Sequence, residues 1–302
     1  MLKRNLHQLI LAMALTVTLP FAFAQNTAPH WPTKPVKLLV PYAAGGPADV
    51  VARELALVLT ADLKQPVTVE NQGGGMGVPA LGVVARAEPD GHTLLLAAFG
   101  NMVLQPMLSK KGGADLVAKL KPVSTISTGP HVLVVSAKLP VKNIPELIDY
   151  ARANPGKVSF ASAGTGGTAH LGMEMFKALS KTDVIHVPYK GSAGAVNDLI
   201  SGEVSAMFSS LPSLQGLADK GLVKVLAATA PSKSNATKSL PLIGTALPGF
   251  DYTTWYAMYA PLATPKPVVD TINAALTKAL KTPSLVAKIE AEYKRDDGDE
   301  QE

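Results

Sequence analysis

The chain has 302 residues, of which 47% are hydrophobic, no cysteine and a formal net charge of +5. This length allows one large or two medium domains with a substantial core, and the lack of cysteine excludes a disulfide-stabilised scaffold and a lipid-modified cysteine. Five arginines and no dense lysine/arginine run argue against a nucleic-acid-binding groove.

The first 24 residues have the pattern of a secretory signal peptide. Lys3 and Arg4 precede an apolar run over 9–19, and an Ala-Phe-Ala sequence ends at Ala24. The run is too short to span a bilayer, and Ala-x-Ala is typical of a cleavage site; a buried helix or a membrane anchor is the alternative. We expect export to a bacterial periplasm with cleavage near Ala24, which leaves 26 basic and 23 acidic residues and a net charge of +3.

Short apolar runs alternate with helical patterns along the mature chain. A strand is predicted over 36–40, followed by a glycine loop and a helix with Val51, Leu55 and Leu59 at helical spacing. The next elements are a strand over 67–70, a helix over 77–87 and a strand over 93–97. This alternation predicts right-handed βαβ units and a mainly parallel sheet.

A second set of elements begins near residue 133. Strands are predicted over 133–136, 158–161, 184–187, 204–208 and 223–228, with helices over 144–153, 169–179, 193–200 and 214–219. Asn143 and Glu146 resemble a capping box at the first of these helices. The chain closes with a predicted strand over 255–260 and one long helix from 267 to about 292.

The two sets predict an α/β protein of two lobes, each a mainly parallel sheet flanked by helices. We assign residues 25–128 and 252–302 to lobe 1 and residues 129–251 to lobe 2, after a signal peptide over 1–24. In open α/β folds ligands bind in the crevice at the carboxyl ends of the strands. The loops that follow the strands are therefore the candidates for function.

One of these loops nearly matches a dinucleotide-binding fingerprint. Gly164, Gly166 and Ala169 fit G-x-G-x-x-A between a strand and a helix. The acidic residue that would hold a ribose is misplaced, because Asp183 precedes the next strand instead of following it. The sequence therefore predicts no nucleotide cofactor.

Catalytic and metal-binding patterns are weak. Phe160 stands where the nucleophile elbow G-x-S-x-G needs glycine, so Ser162 lacks that motif. His170 is at least as well explained as a packing or capping histidine near a helix start, and His186 as a satisfied core or interface histidine. The mature chain's histidines show no zinc spacing. We predict no catalytic residue, no metal site and no cofactor.

Two glycine loops remain, Gly45-Gly46-Pro47-Ala-Asp49 and Gly164-Thr-Gly166-Gly-Thr168, each between a strand and a helix. Backbone N–H groups at two helix starts can hold an anion without any arginine. If the lobes face each other, both loops point into one crevice. A carboxylate fits this better than a polyphosphate, because neither loop carries a lysine-bearing phosphate motif. The alternative is that the glycines serve only tight turns.

Motifs along nearly the whole mature chain resemble one family, the solute-binding receptors of tripartite tricarboxylate transporters, also called Bug receptors. In order they are Trp31-Pro-x-Lys-Pro35, Val40-Pro-Tyr-Ala-Ala-Gly-Gly46 with Asp49, Val69-Glu-Asn71, Pro89-Asp-Gly-His-Thr-Leu94, Ala161-Ser-Ala-Gly164, His186-Val-Pro-Tyr-Lys-Gly191, Leu211-Pro-Ser213 and Pro261-x-x-Thr-Pro265. This run of motifs is far more specific than any single glycine loop.

The resemblance implies a periplasmic binding protein of the type II, Venus-flytrap fold, without catalysis. It implies closure on a small mono- or dicarboxylate and delivery of that solute to membrane transporter subunits; we expect a monomer that binds no nucleic acid. Carried over residue by residue, the ligand-binding residues are Tyr42, Ala44, Gly45 and Asp49 from lobe 1 and Ser162, Ala163, Gly164, Thr165, Thr168, His170, Tyr189 and Ser209 from lobe 2.

The chain departs from the family pattern in two places. The chain has Phe208-Ser209-Ser210 where the family usually has Phe-Asp before x-Leu-Pro-Ser, and the aspartate helps define the distal end of the pocket, which leaves the ligand open. The family also continues past Glu292 with a long amphipathic helix, whereas this sequence ends in KRDDGDEQE. A degenerate, non-transporting binding protein and an exported α/β hydrolase-like enzyme therefore remain as alternatives.

Overall fold

The computed structural model describes residues 31–108, 113–232, 234–292 and 294–295. The predicted signal peptide over 1–24 lies outside the described residues. Among the helices that are described, none has both the length and the hydropathy that a bilayer span requires.

The strands alternate with helices, as the sequence predicts. The strands are β1 (Val36–Val40), β2 (Val67–Asn71), β3 (Thr93–Ala98), β4 (Leu120–Gly129), β5 (Val132–Ser136), β6 (Val158–Ser162), β7 (Val184–Pro188), β8 (Ala206–Ser209), β9 (Val223–Ala228), β10 (Thr254–Pro261) and β11 (Lys294–Arg295). The α-helices are α1 (Pro47–Leu63), α2 (Val78–Ala85), α3 (Gln105–Leu108), α4 (Gly113–Val117), α5 (Ile144–Ala153), α6 (Thr168–Ser180), α7 (Ser192–Ser201), α8 (Pro212–Asp219), α9 (Ile243–Ala246), α10 (Lys266–Ala279) and α11 (Pro283–Glu292). A 3₁₀ turn covers Gly75–Gly77 and a π-helical turn covers Gly100–Leu104.

Two sheets form the centres of two lobes. The lobe 1 sheet has the order β11-β4-β10-β3-β1-β2, and the lobe 2 sheet has the order β7-β6-β8-β5-β9. The chain passes from the first sheet to the second between β4 and β5, and returns between β9 and β10. The two-lobe α/β fold is therefore confirmed, while the predicted lobe limits at 128/129 and 251/252 stay a prediction.

Both sheets are mixed in strand direction. The predicted βαβ units give the parallel pairs of β1 with β2 and β3, and of β6 with β7 and β8. In contrast, β10 is antiparallel to β3 and β4, and β5 is antiparallel to β8 and β9. Strands β5 and β10 are the first strands after the chain crosses from one lobe to the other. No crossover helix of their own sheet precedes them, so none sets a parallel direction.

The lobe 1 sheet is buried on both faces, which explains its continuous apolar strands. Leu38 and Leu94 face α1, whose Leu55 is fully buried against them. Leu39 and Leu95 face the other way, in a separate cluster with Leu81 of α2 and its neighbours. Burial of one such side chain stabilises the fold by about 1.5–3 kcal/mol. This packing fixes the start of α1 at the edge where β1 ends.

An aromatic cluster forms the core of lobe 2. The ring of Phe160 lies 5.3 Å from that of Phe176 and 5.8 Å from that of Phe208, and Phe250 stacks on Phe208 from the other side. Phe160, Phe176 and Phe208 are each at most 2% exposed. The cluster joins β6, β8 and α6, so it holds the loops after β6 and β8 in fixed relation.

Two of the differences from the prediction have a clear physical reason. The long helix predicted from 267 to 292 is divided into α10 and α11, because Pro283 cannot continue a helix and disfavours helical geometry in the residue before it. Strand β4 was not predicted, since its sequence LKPVSTISTG contains a proline and several serines and threonines. It forms through its long pairing with β10, which includes register shifts.

Candidate functional site

The loop between β1 and α1 is shaped by one buried carboxylate. Gly45 has a φ of +81°, a backbone conformation that favours glycine, and it donates its N–H to Oδ2 of Asp49 at 2.8 Å. The same oxygen accepts from Nε of Arg53 at 2.9 Å. Asp49 is only 4% exposed. Its carboxylate therefore supports the loop from behind.

Asp49 is kept ionised by its neighbours. Burial alone disfavours the charged carboxylate, but hydrogen bonds from Arg53, Gly45 and Asn71, with the charge of Arg53, outweigh burial and lower the pKa of Asp49 below its ordinary value. A negative charge in the first turn also suits the dipole of α1. The geometry indicates that Asp49 positions the loop.

The loop over 163–167, between β6 and α6, is held by side chains at both ends. Oγ of Ser162 accepts the N–H of Gly164 at 3.2 Å and donates to the carbonyl of Gly164 at 3.0 Å. Nε2 of His186 lies 2.7 Å from the same Oγ. At the far end, Nδ1 of His170 accepts the N–H of Gly166 at 3.1 Å. The loop therefore has a defined conformation behind its exposed backbone.

A cavity lies between these two loops and takes its walls from both lobes. It is lined by Tyr42, Ala43, Gly46, Pro47, Ala48, Ala98, Thr254 and Tyr256 of lobe 1, by Ala163, Gly167, Thr168, Ala169, Ser192, Phe208 and Ser209 of lobe 2, and by His131. The space between these residues is about 590 Å³, part of it open to solvent. Within the described residues, its lining includes no lysine, arginine, aspartate or glutamate.

Three helix starts meet at this cavity. Helices α1, α6 and α7 begin after Gly46, Gly167 and Gly191, and none of these three caps carries a side chain that could satisfy the helix. The first N–H groups of a helix have no intrahelical partner and carry its positive dipole end. Helix starts of this kind suit an anionic group, and those of both lobes meet at this cavity.

A second space of about 900 Å³ continues from the first and shares Tyr42, Ala163 and Gly167 with it. Its other walls include the 3₁₀ turn Gly75–Gly77 in lobe 1 and Tyr189 in lobe 2. Asn101 and Lys190 also belong to its lining. The two spaces therefore adjoin at these three shared residues.

The predicted site residues fall into two groups. Those that line one or both spaces are Tyr42, Ala163, Gly164, Thr165, Thr168, Tyr189 and Ser209. Those that do not belong to either lining are Ala44, Gly45, Asp49, Ser162 and His170. Gly45 lies in the β1–α1 loop itself, and Asp49, Ser162 and His170 accept hydrogen bonds from backbone N–H groups of the two loops.

A family model described as "Tripartite tricarboxylate transporter family receptor" matches residues 51–296, most of the chain. The chain belongs to this family. The resemblance to Bug-type periplasmic receptors is thus confirmed, and the chain is a periplasmic solute-binding receptor.

Three solved structures are similar to the receptor over most of their length. A periplasmic binding protein, BugD, is 34% identical with a TM-score of 0.81, over 86% of this chain and 87% of BugD. Rpa4515 of R. palustris, solved with adipate, is 31% identical with a TM-score of 0.83, over 88% and 89% of the two chains. MatC of Rhodopseudomonas palustris, with bound malate, is 30% identical with a TM-score of 0.80, over 85% and 88%.

Tyr189 presents its ring and not its hydroxyl to the receptor's second space. Its hydroxyl donates to Oδ2 of Asp198 at 2.5 Å. Burial, with the bond to Asp198, raises the pKa of Tyr189 to about 12. The phenol of Tyr189 is therefore neutral and hydrogen-bonded to Asp198 of α7. This bond holds the ring in one position in the wall of the second space.

His131 and Thr254 were not predicted as site residues; they lie where the receptor's chain crosses between its lobes. The N–H of His131 donates to Oγ1 of Thr229 at 3.0 Å, and Thr229 bonds in turn to the carbonyl of Tyr252. Thr254 pairs with Thr168 through their hydroxyls at 3.3 Å. In the sequence, only their position near the predicted lobe junctions could have indicated a role. No local pattern marks them, because their hydrogen-bond partners are about 86 to 98 residues away.

The two sides of the receptor's crevice are in close contact. A Cβ placed on Gly191 of lobe 2 would lie 2.7 Å from Cβ of Ala43 in lobe 1, nearer than real Cβ atoms approach. A Cβ on Gly46 would lie 3.0 Å from Oγ of Ser192. Glycine at these positions lets the β1–α1 loop of lobe 1 meet the start of α7 in lobe 2.

Proposed function

We propose that the receptor captures a small dicarboxylate between its lobes, with one carboxylate in the cradle of the three helix starts. The observation that carries this proposal is that the starts of α1, α6 and α7 converge, without side-chain caps, on a cavity whose described lining carries no charged side chain. The adipate and malate bound to two similar receptors support the same class of solute.

The absence of acidic groups from the described lining favours an acid over an amino acid. An ammonium group buried in either space would need a carboxylate partner, and the described residues around both spaces supply none. Ser209 and Ser192 offer neutral hydroxyl groups in its place. We therefore expect solutes without an amino group to bind best.

A second carboxylate would lie in the adjoining space. Lys190 belongs to the lining there, and its cationic side chain suits a second anionic group. A monocarboxylate would leave this end without a charged partner. We therefore expect the receptor to bind most tightly those dicarboxylates that are long enough to reach from the cradle past Tyr42.

Binding to both lobes would stabilise the closed state. A solute held by α1 on one side and by α6 and α7 on the other favours closure by its differential contacts. We propose that this closed form delivers the solute to the membrane subunits of a tripartite tricarboxylate transporter, in keeping with the family.

Calorimetric titration of the purified mature protein with adipate, malate and adipamide tests the proposal. Adipamide has the length of adipate but no charge, so we expect saturable binding of at least one diacid and none of the diamide. Native mass spectrometry of freshly purified protein would show a co-purified acid. Equal affinity for adipate and adipamide, or no binding across a panel of diacids, would overturn the proposal.

One observation favours a second candidate function, that of a hydrolase. Oγ of Ser162 lies 2.7 Å from Nε2 of His186, a distance suited to a nucleophile and its base. Ser162 is only 1% exposed, and its hydroxyl is also bonded to both backbone groups of Gly164. Turnover of an ester that Ser162→Ala abolishes would favour this candidate; stoichiometric binding without product favours the receptor.

A further inference from the structure

A methionine of lobe 1 reaches across the crevice to the glycine loop of lobe 2. A Cβ placed on Gly166 would overlap the Cε methyl of Met76 and would lie 3.5 Å from its Sδ. The φ of Gly166 is +75°, a conformation that favours glycine. A side chain at residue 166 would therefore displace Met76. The second glycine of the G-x-G-x-x-A pattern thus serves a contact between the lobes.

The backbone of Met76 has an uncommon conformation. Its φ is +57° and its ψ is 22°, in the left-handed region that costs energy for a residue with a side chain. Nδ2 of Asn101 donates to the carbonyl oxygen of Met76 at 3.3 Å, and Oδ1 of Asn101 accepts the N–H of Ala98 at the end of β3. Asn101 is only 4% exposed. The turn is thus fixed to lobe 1 while its side chain contacts lobe 2.

Met76 also belongs to the wall of the second space. The apolar and aromatic side chains of that lining are those of Pro41, Tyr42, Met76, Ala163, Pro188 and Tyr189. Proline rings are part of the backbone, and Tyr189 is hydrogen-bonded to Asp198. Methionine, in contrast, has three rotatable bonds and a polarisable sulfur. Met76 can therefore adapt its shape to a flexible apolar chain.

We propose that Met76 is a specificity-determining residue, whose thioether packs against the methylene chain of the bound diacid. This inference rests on the proposed function, in which one carboxylate lies at the three helix starts and the other near Lys190. The part of the solute between the two carboxylates is then apolar. The free energy gained by burying it grows with the apolar area removed from water. Met76 therefore favours diacids with a longer methylene chain.

Titration calorimetry with succinate and adipate tests the inference, because these two diacids differ by two methylene groups. The wild type is expected to bind adipate more tightly than succinate. Met76→Ala should reduce this preference about tenfold, since the chain loses its apolar partner. Met76→Leu keeps an apolar side chain of similar volume and should retain the preference within about twofold.

The ratio of the two affinities separates the contact with the solute from the contact between the lobes. Loss of the lobe contact weakens the binding of both diacids alike and leaves their ratio unchanged. The matched control is Met107→Ala, because Met107 on α3 is 77% exposed and lines neither space. Its ratio should equal that of the wild type.

A spectroscopic measurement locates the contact directly. In mature protein labelled with carbon-13 at the methionine methyl groups and saturated with adipate, the Met76 methyl should show nuclear Overhauser effects to the methylene protons of adipate. Its signal is assigned by its loss in Met76→Ala. The methyl of Met107 should show no such effect.

The possible failures are distinguishable. If both diacids bind, a wild type without preference for adipate, a Met76→Ala ratio equal to that of the wild type, or the lack of an Overhauser effect at Met76 overturns the inference alone. Equal binding of adipate and adipamide, with a ratio that still depends on Met76, overturns the proposed function alone. A wild type that binds neither diacid overturns both.

Discussion

Gly100 of lobe 1 and Gly167 of lobe 2 touch across the crevice: a Cβ built on Gly100 would lie 2.9 Å from Cα of Gly167. Its next nearest atoms, the carbonyl oxygen of Gly166 and the nitrogen of Thr168 at 3.2 Å, also belong to lobe 2. The three nearest atoms that a Cβ at residue 100 would meet therefore all belong to the opposite lobe. Glycine at this position permits the close contact between the lobes.

Gly100→Ala is expected to hinder closure and leave the fold intact. An overlap with backbone atoms costs about 1–3 kcal/mol, so affinity for the best diacid should fall about tenfold or more, and the ligand-induced compaction in X-ray scattering should shrink. The matched control is Gly216→Ala in α8, where an added Cβ meets nothing within 4 Å. Equal affinity of both variants would contradict the assignment.

Ser209→Asp should change the class of solute. Ser209 is 4% exposed and lines the cavity, so a carboxylate there would repel a dianion and offer a partner to an ammonium group. We expect affinity for malate or adipate to fall more than about tenfold and affinity for amino acids of similar size to rise. Ser284→Asp, on the exposed start of α11, is the control. Unchanged selectivity would place Ser209 outside the site.

Asp49→Ala should destabilise the receptor and weaken binding together. The change leaves the Gly45 N–H and Arg53 without their shared acceptor, which is expected to cost about 1–3 kcal/mol in the free energy of unfolding. Because the pKa of Asp49 is lowered in the folded state, its contribution is present above the ordinary carboxyl pKa and is lost as the pH falls below it. Urea titration measures the loss.

The control for this prediction is Asp270→Asn, which removes an exposed ion pair with Lys266. Exposed pairs contribute about 0–1 kcal/mol. Similar losses of stability in Asp49→Ala and Asp270→Asn would show that the carboxylate of Asp49 does not support the loop.

His131 should make stability depend on pH. Burial lowers the pKa of His131 from 6.5 to about 4, so the unfolded chain takes up a proton at a higher pH than the folded one. Stability is then greatest above pH 6.5 and falls as the pH drops from 6.5 towards 4, by roughly 2 kcal/mol from this residue at about pH 5. Urea unfolding at several pH values measures this, and His131→Phe should give a shallower dependence. The same pH dependence of the unfolding free energy in His131→Phe and in the wild type would contradict this prediction.

Much of the site could be read from local patterns. The strand, glycine loop and helix around Pro47 and around Thr168 are each encoded within about twenty residues, because apolar spacing and glycine act over short distances. Residues of both loops line the same cavity in the structure. The third helix start, after Gly191, and its Ser192 were not recognised as part of it, since nothing in their sequence indicates which lobe face they reach.

Other parts of the site depend on residues far apart in the chain. Ser162 and His186 are 24 residues apart, and the pairing of Thr168 with Thr254 spans 86 residues. The sequence analysis treated His186 as a satisfied core or interface histidine, whereas β6 and β7, parallel neighbours, place it beside Ser162. Strand β4 likewise forms only because β10 returns beside it.

The amino-acid sequence by itself determined the class of fold, the position of the glycine loops and the family, because these depend on local periodicity and on motifs in a fixed order. The tertiary structure decided which of the predicted residues line the cavity and which support it. Asp49, Ser162 and His170 are turned away from the cavity lining because their polar atoms satisfy backbone N–H groups of the loops. Such a division arises only when the two sheets and three helix starts are packed together.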